Sequence, residues 1–278
     1  MGSNDSISRR SLLALAAAPL LVGADTKKLP IGLELYSVRG ELKKDLPGTV
    51  AAVAKMGYQC VEFYAPYFDW TTDYAKQVRS QMDDLGLKCY STHNGPVSFT
   101  GDGLAKAIEL NHILGSYYVI MASAGRTTTL DDWKRVASTL NQANAVMKKN
   151  GLHAGYHNHA VEWKPLDGQK PLELLASSTD KSVVMQFDVG TCIETGNDPV
   201  AWINANPGRI KSLHLKDWNA EKGYRVLFGE GDGQWLKIFA AAERVGGAEY
   251  YLIEQEGSEF PEMETAQKCL ETYRKIRA

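Results

Sequence analysis

Net charge, cysteine and long apolar runs are all scarce in this 278-residue chain. Its 31 Lys+Arg nearly balance its 33 Asp+Glu, for a net charge of −2. A protein that neutralises a phosphate backbone usually carries a basic excess, so no nucleic-acid partner is expected. Four cysteines are present, Cys60, Cys89, Cys192 and Cys269, and none falls in a CxxC or zinc-ribbon spacing. No disulfide framework is expected either, since Cys60 and Cys89 sit in strand-like apolar runs where a free thiol acts as a small hydrophobe. The apolar stretch from Leu12 to Ala24 falls short of the roughly 20 residues a membrane-spanning helix needs. No GxGxxG follows the first strand-like run, Ile31-Gly32-Leu33-Glu34, which disfavours an open dinucleotide-binding sheet.

The N-terminus differs in kind from the rest. Ser8-Arg9-Arg10-Ser11-Leu12-Leu13 opens the apolar stretch, and Val22-Gly23-Ala24 closes it with small residues. A charged start, an apolar middle and a small-residue end are the parts of an export signal, and the paired arginines resemble a twin-arginine signal. Residues 1–24 are therefore expected to direct a periplasmic or otherwise exported location, leaving 25–278 as the mature domain with no membrane attachment. That export route carries folded proteins, which suits a chain that acquires its cofactor first.

Apolar residues make up 44% and charged residues 23%, ordinary values for a chain that buries a full core. From Leu29 onward short β-type runs alternate with longer amphipathic ones. The strand candidates are Ile31–Ser37, Gln59–Phe63, Leu87–His93, Tyr117–Met121, Leu152–His157, Val183–Asp188, Ile210–Lys216 and Glu249–Glu254. Helical stretches lie between them, several followed by a glycine suited to a helix stop, at Gly57, Gly86, Gly115, Gly151 and Gly246. Eight such alternations with no interrupting linker predict an α/β fold, a single-domain (β/α)8 TIM barrel.

In such a barrel the chemistry collects at the C-terminal ends of the strands. Those ends offer Glu34, Glu62, His93 with Asn94, His157-Asn158-His159 followed by Glu162, Asp188, His214 with Lys216 and Asp217, and Glu254 with Glu256. Four of the six histidines stand there. Carboxylates and neutral imidazole together suit a divalent ion, Mn2+ first and Mg2+, Co2+ or Zn2+ as alternatives. Each residue has a plainer role open to it: a strand-end Asp such as Asp188 can simply cap the next helix. The combination carries the expectation, because several buried charges converging on one cavity repel unless something neutralises them.

In order, the segments Ile31–Arg39 (IGLELYSVR), Gly155–Trp163 (GYHNHAVEW), Phe187–Gly190 (FDVG), His214–Asp217 (HLKD) and Ile253–Gln255 (IEQ) resemble the sugar phosphate isomerase/epimerase superfamily with the xylose isomerase-like barrel. The Gly229-Glu230-Gly231-Asp232-Gly233 loop resembles that family's Gly-x-Gly turn. The resemblance implies a metal held by a strand-5 carboxylate, Asp188, His214 and Glu254. Here strand 5 reads His157-Asn158-His159, so the expected fourth ligand is Glu162, with His157 as the alternative.

The chemistry so implied is proton abstraction next to a carbonyl, passing through an enediolate. Glu254 is the expected base, and His157, Glu162 or His159 its acid–base partner. Glu62, His93, His159 and Lys216 are the candidates for holding the substrate. The expected activity is a metal-dependent isomerase or epimerase acting on a sugar or keto-sugar. The alternatives are a keto-sugar or inosose dehydratase or a 3-keto-glycoside lyase acting by β-elimination, and a non-catalytic sugar-binding barrel. The expected partner is a small sugar or glycoside, with a homo-oligomer left open.

Overall fold

The computed structural model describes residues 28–278. The expected export signal, residues 1–24, lies outside the described residues. Strand β1 (Ile31–Glu34) leads through α1 (Arg39–Lys44) and α2 (Leu46–Met56) to β2 (Cys60–Glu62). Next come α3 (Thr72–Asp84), β3 (Ser91–Asn94), α4 (Gly101–Leu114), β4 (Tyr118–Met121), α5 (Leu130–Lys149) and β5 (His153–His157). After α6 (Pro171–Ser178) and β6 (Val184–Asp188), two short helices follow, α7 (Val189–Glu194) and α8 (Pro199–Ala205). β7 (Ser212–Leu215), α9 (Trp235–Ala241), β8 (Tyr250–Ile253) and α10 (Glu262–Ile276) complete the chain.

All strand pairs are parallel, in the order β2-β1-β8-β7-β6-β5-β4-β3, so the first and last strands are neighbours. The remaining seam, β2 against β3, is bridged by Val61 N–H donating to Lys88 O (2.8 Å) and His93 N–H donating to Phe63 O (2.8 Å). The expected (β/α)8 barrel is the fold observed.

Local chemistry sets the helix ends. Asp45 accepts from Gly48 N–H to open α2, and Thr129 with Asp132 forms a reciprocal capping box at the start of α5. Gly57 stops α2 at φ 97°, a conformation that costs glycine little. The stop expected at Gly246 falls instead at Gly247 (φ 82°), because α9 loosens into a π turn over Ala242–Gly246 that adds a residue. Several strands are shorter than their apolar runs. β1 ends at Glu34, whose side chain takes the Tyr36 N–H and turns the chain into a 3-10 turn over 35–38. In the Leu87–Tyr90 run Lys88 makes an isolated bridge to Cys60 and Tyr90 O accepts from Tyr118 N–H of β4, and β3 begins at Ser91.

Candidate active site

Successive side chains on a strand point to opposite faces, so each inward column takes every second residue. The lower rungs form an apolar cluster inside the barrel, built by Cys60, Tyr118, Ile120, Val184, Tyr250 and Leu252. Two residues further along the same strands, and on those facing them, the columns become polar, with Gln186, and then ionisable, with Glu62, Asp188, Glu254, His93, His157 and His214, all buried. Space is tight at this level. A Cβ on Gly155 would stand 2.5 Å from Val184 Cγ2, so the residue below His157 has to be glycine.

His214 sits at the centre. Its Nδ1 lies 2.6 Å from Glu254 Oε2 and its Nε2 2.8 Å from Glu62 Oε2. Burial opposes charge on this ring, yet the two flanking carboxylates prevail and raise its pKa to about 10. His93 stacks on it (centroids 5.0 Å, 13° between planes), and His157 packs against both, 4.4 Å from His214 and 4.6 Å from His93. Burial and these two neighbouring rings hold the His157 pKa well below its ordinary value, which keeps that imidazole neutral.

Asp188 divides its oxygens between two tasks. Oδ1 accepts from Thr191 N–H (2.9 Å) and caps α7. Oδ2 is buried, has no hydrogen-bond partner among the described residues, and lies 3.9 Å from His157 Nε2. Asn158 fixes this strand end, accepting from Asp188 N–H and donating to Asp188 O and Thr191 Oγ1. Lys216 Nζ stands 3.6 Å from Asp188 Oδ2 and 3.8 Å from Glu254 Oε1, and also pairs with Glu256. Burial works against ionising Glu254, but Lys216 and His214 hold its pKa well below the usual carboxylate range. Gly190 makes room for Lys216; a Cβ there would come within 2.8 Å of Lys216 O.

His157, Asp188 and Glu254 each offer a ligand atom within 4.8 Å of the others, and His214 is bonded to Glu254. An orphaned buried carboxylate oxygen is rare. Beside a neutral imidazole, a second imidazole and a second carboxylate, it fits a divalent cation. Above the cluster opens a cavity of about 310 Å³, walled by Glu34, Tyr36, Tyr64, His93, His157 and Glu254.

Residues 50–276 match the family described as the xylose isomerase-like TIM barrel. The chain belongs to that family. Its curated relatives include an inosose dehydratase of Clostridium beijerinckii, 33% identical over 92 residues, covering 33% of this chain and 30% of that protein. Another, the inosose dehydratase of Clostridium perfringens, is 26% identical over 144 residues, covering 45% of this chain and 48% of that protein. The chain thus spans half or less of the length of these curated relatives. A solved sugar phosphate isomerase/epimerase of Parabacteroides distasonis is 28% identical with a TM-score of 0.73, covering 88% of this chain and 93% of that one.

Within this xylose isomerase-like barrel, the expected residues divide into two groups. Glu62, His93, His157, Asp188, His214, Lys216 and Glu254 are buried together. His159 is exposed on the cavity wall, its ring 4.8 Å from that of His157. Glu162 stands apart, outside every group of ligand atoms that converge within 4.8 Å. Its Oε1 accepts from the Tyr156 hydroxyl (2.6 Å) and its Oε2 from His159 N–H (2.7 Å). Tyr156 packs on Trp133 of α5, so it faces the helix layer and takes the carboxylate with it.

Sequence reasoning overlooked Gln186 and Ser91. Gln186 bridges His93 Nε2 (2.6 Å) and Glu62 Oε1 (2.8 Å), and the Ser91 hydroxyl donates to the same Glu62 oxygen. Their signal was positional: each is a polar residue on an inward column, directly below a site residue. The glycine loop also acquires a physical role. The Asp217 carboxylate accepts from the N–H groups of Gly229, Gly231 and Gly233 and from Trp235 Nε1. A Cβ on Gly231 would collide with that carboxylate.

Proposed function

We propose that this protein is a divalent-metal-dependent enzyme that removes the proton next to the carbonyl of a sugar or keto-sugar ring, leading to isomerisation or epimerisation. The observation that carries this reading is the convergence of His157, Asp188 and Glu254, with His214 bonded to Glu254, beneath the cavity, Asp188 Oδ2 accepting no hydrogen bond among the described residues. These four residues are assigned as the metal ligands, with His157 as the strand-5 ligand in place of Glu162. Mn2+ is the first choice of ion, with Mg2+, Co2+ and Zn2+ as alternatives. When bound, the ion supplies a Lewis acid that stabilises negative charge developing on substrate oxygens.

The protein's own groups do the rest. Glu254, held ionised by Lys216 and His214, takes the proton from the carbon beside the carbonyl. Lys216 is positioned to compensate charge on a substrate oxygen, because it already balances Asp188, Glu254 and Glu256. His93 and His159 line the cavity wall, where their rings can meet substrate hydroxyls. Glu62 sets the orientation of His214 and His93 from below.

A second reading, elimination of a β-oxygen after the same first step, is favoured by the curated relatives named inosose dehydratase. Both readings are tested by incubating the Mn2+-loaded protein in D2O with inosose, D-fructose or D-psicose and following the products by NMR. Deuterium incorporation or product that EDTA abolishes supports the proposal. If no member of the panel shows metal-dependent exchange or conversion, the assigned chemistry is wrong.

A further inference from the structure

One buried carboxyl on the cavity wall takes no part in the chemistry above. Glu34 ends β1, is fully buried, and lines the same cavity as Glu254, His93 and His157. Its Oε2 accepts from Tyr36 N–H, which fixes the plane of the carboxyl at the start of the turn. Its Oε1 has no hydrogen-bond partner among the described residues, and the His93 Nδ1 near it stands 4.0 Å away, beyond hydrogen-bond reach. Glu62 and Glu254 bring carboxylates to its surroundings, His93 and His214 bring imidazoles, and Tyr64 brings a phenol. Burial first, and then the two carboxylates, push its pKa well above the ordinary value. Burial and like charge favour the protonated form of a carboxyl, and a protonated carboxyl is a donor. A purely structural role, ending β1, needs only Oε2 and gives no reason for a bare Oε1 in the cavity wall.

We propose that Glu34 is the catalytic acid of this site, delivering its proton to the oxygen that leaves the β-carbon of a keto-sugar. This rests on the deprotonation assigned to Glu254. Glu254 takes the proton on the carbon between the carbonyl and the leaving group, and that C–H electron pair forms the enolate. The pair then returns to form a carbon–carbon double bond as the C–O bond breaks, its electrons passing to the departing oxygen. Glu34 protonates that oxygen, so water or an alcohol leaves and an enone remains. Glu254 ends protonated and Glu34 ionised, and exchange with solvent restores both without any oxidant or reductant.

The test uses the Mn2+-loaded full chain with inosose as probe, comparing wild type with Glu34→Gln, which keeps the size and the acceptor for Tyr36 N–H. NMR in D2O follows both deuterium exchange at the α-carbon and product. Loss of a general acid lowers product formation by about 10²–10⁴-fold. Exchange is expected to fall far less, so the ratio of exchange to product rises at least tenfold. Infrared difference spectroscopy at neutral pH, wild type against Glu34→Gln, reads the protonated carboxyl directly and needs no substrate. Its C=O band is expected in wild type and absent in the variant. Product formation unchanged in Glu34→Gln, equal loss of exchange and product, or the absence of that band overturns the proposal. A wild type that neither exchanges nor converts inosose counts against the deprotonation reading for this sugar, and the infrared band then decides on Glu34 alone.

Discussion

Asp188 shows why a plain role and a functional one need not compete at a single residue. One oxygen caps α7 as any strand-end aspartate would, and the other is left bare toward His157. Glu162 shows the converse: a carboxylate at the expected place in sequence, with both oxygens already satisfied outside the cluster. His157→Ala is therefore expected to lower bound Mn2+ to well below one per chain, measured by plasma mass spectrometry after desalting. Glu162→Gln is expected to keep the metal and to lose about 1–3 kcal/mol of stability in denaturant unfolding, since one hydrogen bond to a buried group no longer matches. The titration of His214 gives a second expectation. Its pKa, raised to about 10 by Glu254 and Glu62, places a proton on the metal-free ring at pH 7 that a metal must displace. Affinity should therefore increase about tenfold per pH unit up to about pH 10. Calorimetry in buffers of different ionisation enthalpy should find about one proton released per metal near pH 7.

At the scale of elements, the sequence made strand ends readable because each carries a polar residue where an apolar run stops. Asp188, His214 and Glu254 were legible for that reason. Glu162 was not, because a turn of four residues after β5 can aim its side chain either into the barrel or against the helix layer. Only the packing of Tyr156 on Trp133 decides between them. Gln186 and Ser91 escaped because a strand interior carries no stop signal, and their register became visible only with the sheet pairing. The loop between β7 and α9 makes a prediction at the same scale. Its glycine N–H groups converge on Asp217, so Asp217→Ala leaves the buried Trp235 Nε1 and three partly or fully solvent-reachable glycine N–H groups without that partner. A loss of about 1–3 kcal/mol is expected, the cost of leaving the buried Trp235 donor without a partner. Amide hydrogen exchange at Gly229, Gly231 and Gly233 should accelerate while that of β7 stays slow.

For the whole molecule, the count of eight units was the most reliable reading, since period and punctuation repeat along the entire chain. Barrel closure itself was not in any local signal. It depends on β1 meeting β8, a contact between residues more than 200 positions apart in sequence. Closure also concentrates buried carboxylates at one end of the barrel, with Lys216 and a protonated His214 as their internal counter-charges. A divalent ion that binds only the folded barrel should therefore stabilise it. At 1,000 times its Kd the gain is about 4 kcal/mol, which is about 10 °C in Tm for a domain of this size. EDTA should reverse that rise.

The most direct test of the central claim is anomalous diffraction from crystals of the Mn2+-loaded protein. The account predicts one peak bounded by His157, Asp188, His214 and Glu254, with Glu162 still bonded to Tyr156. A peak that draws in Glu162 and leaves His157 free, or one lying outside this cluster, would contradict it.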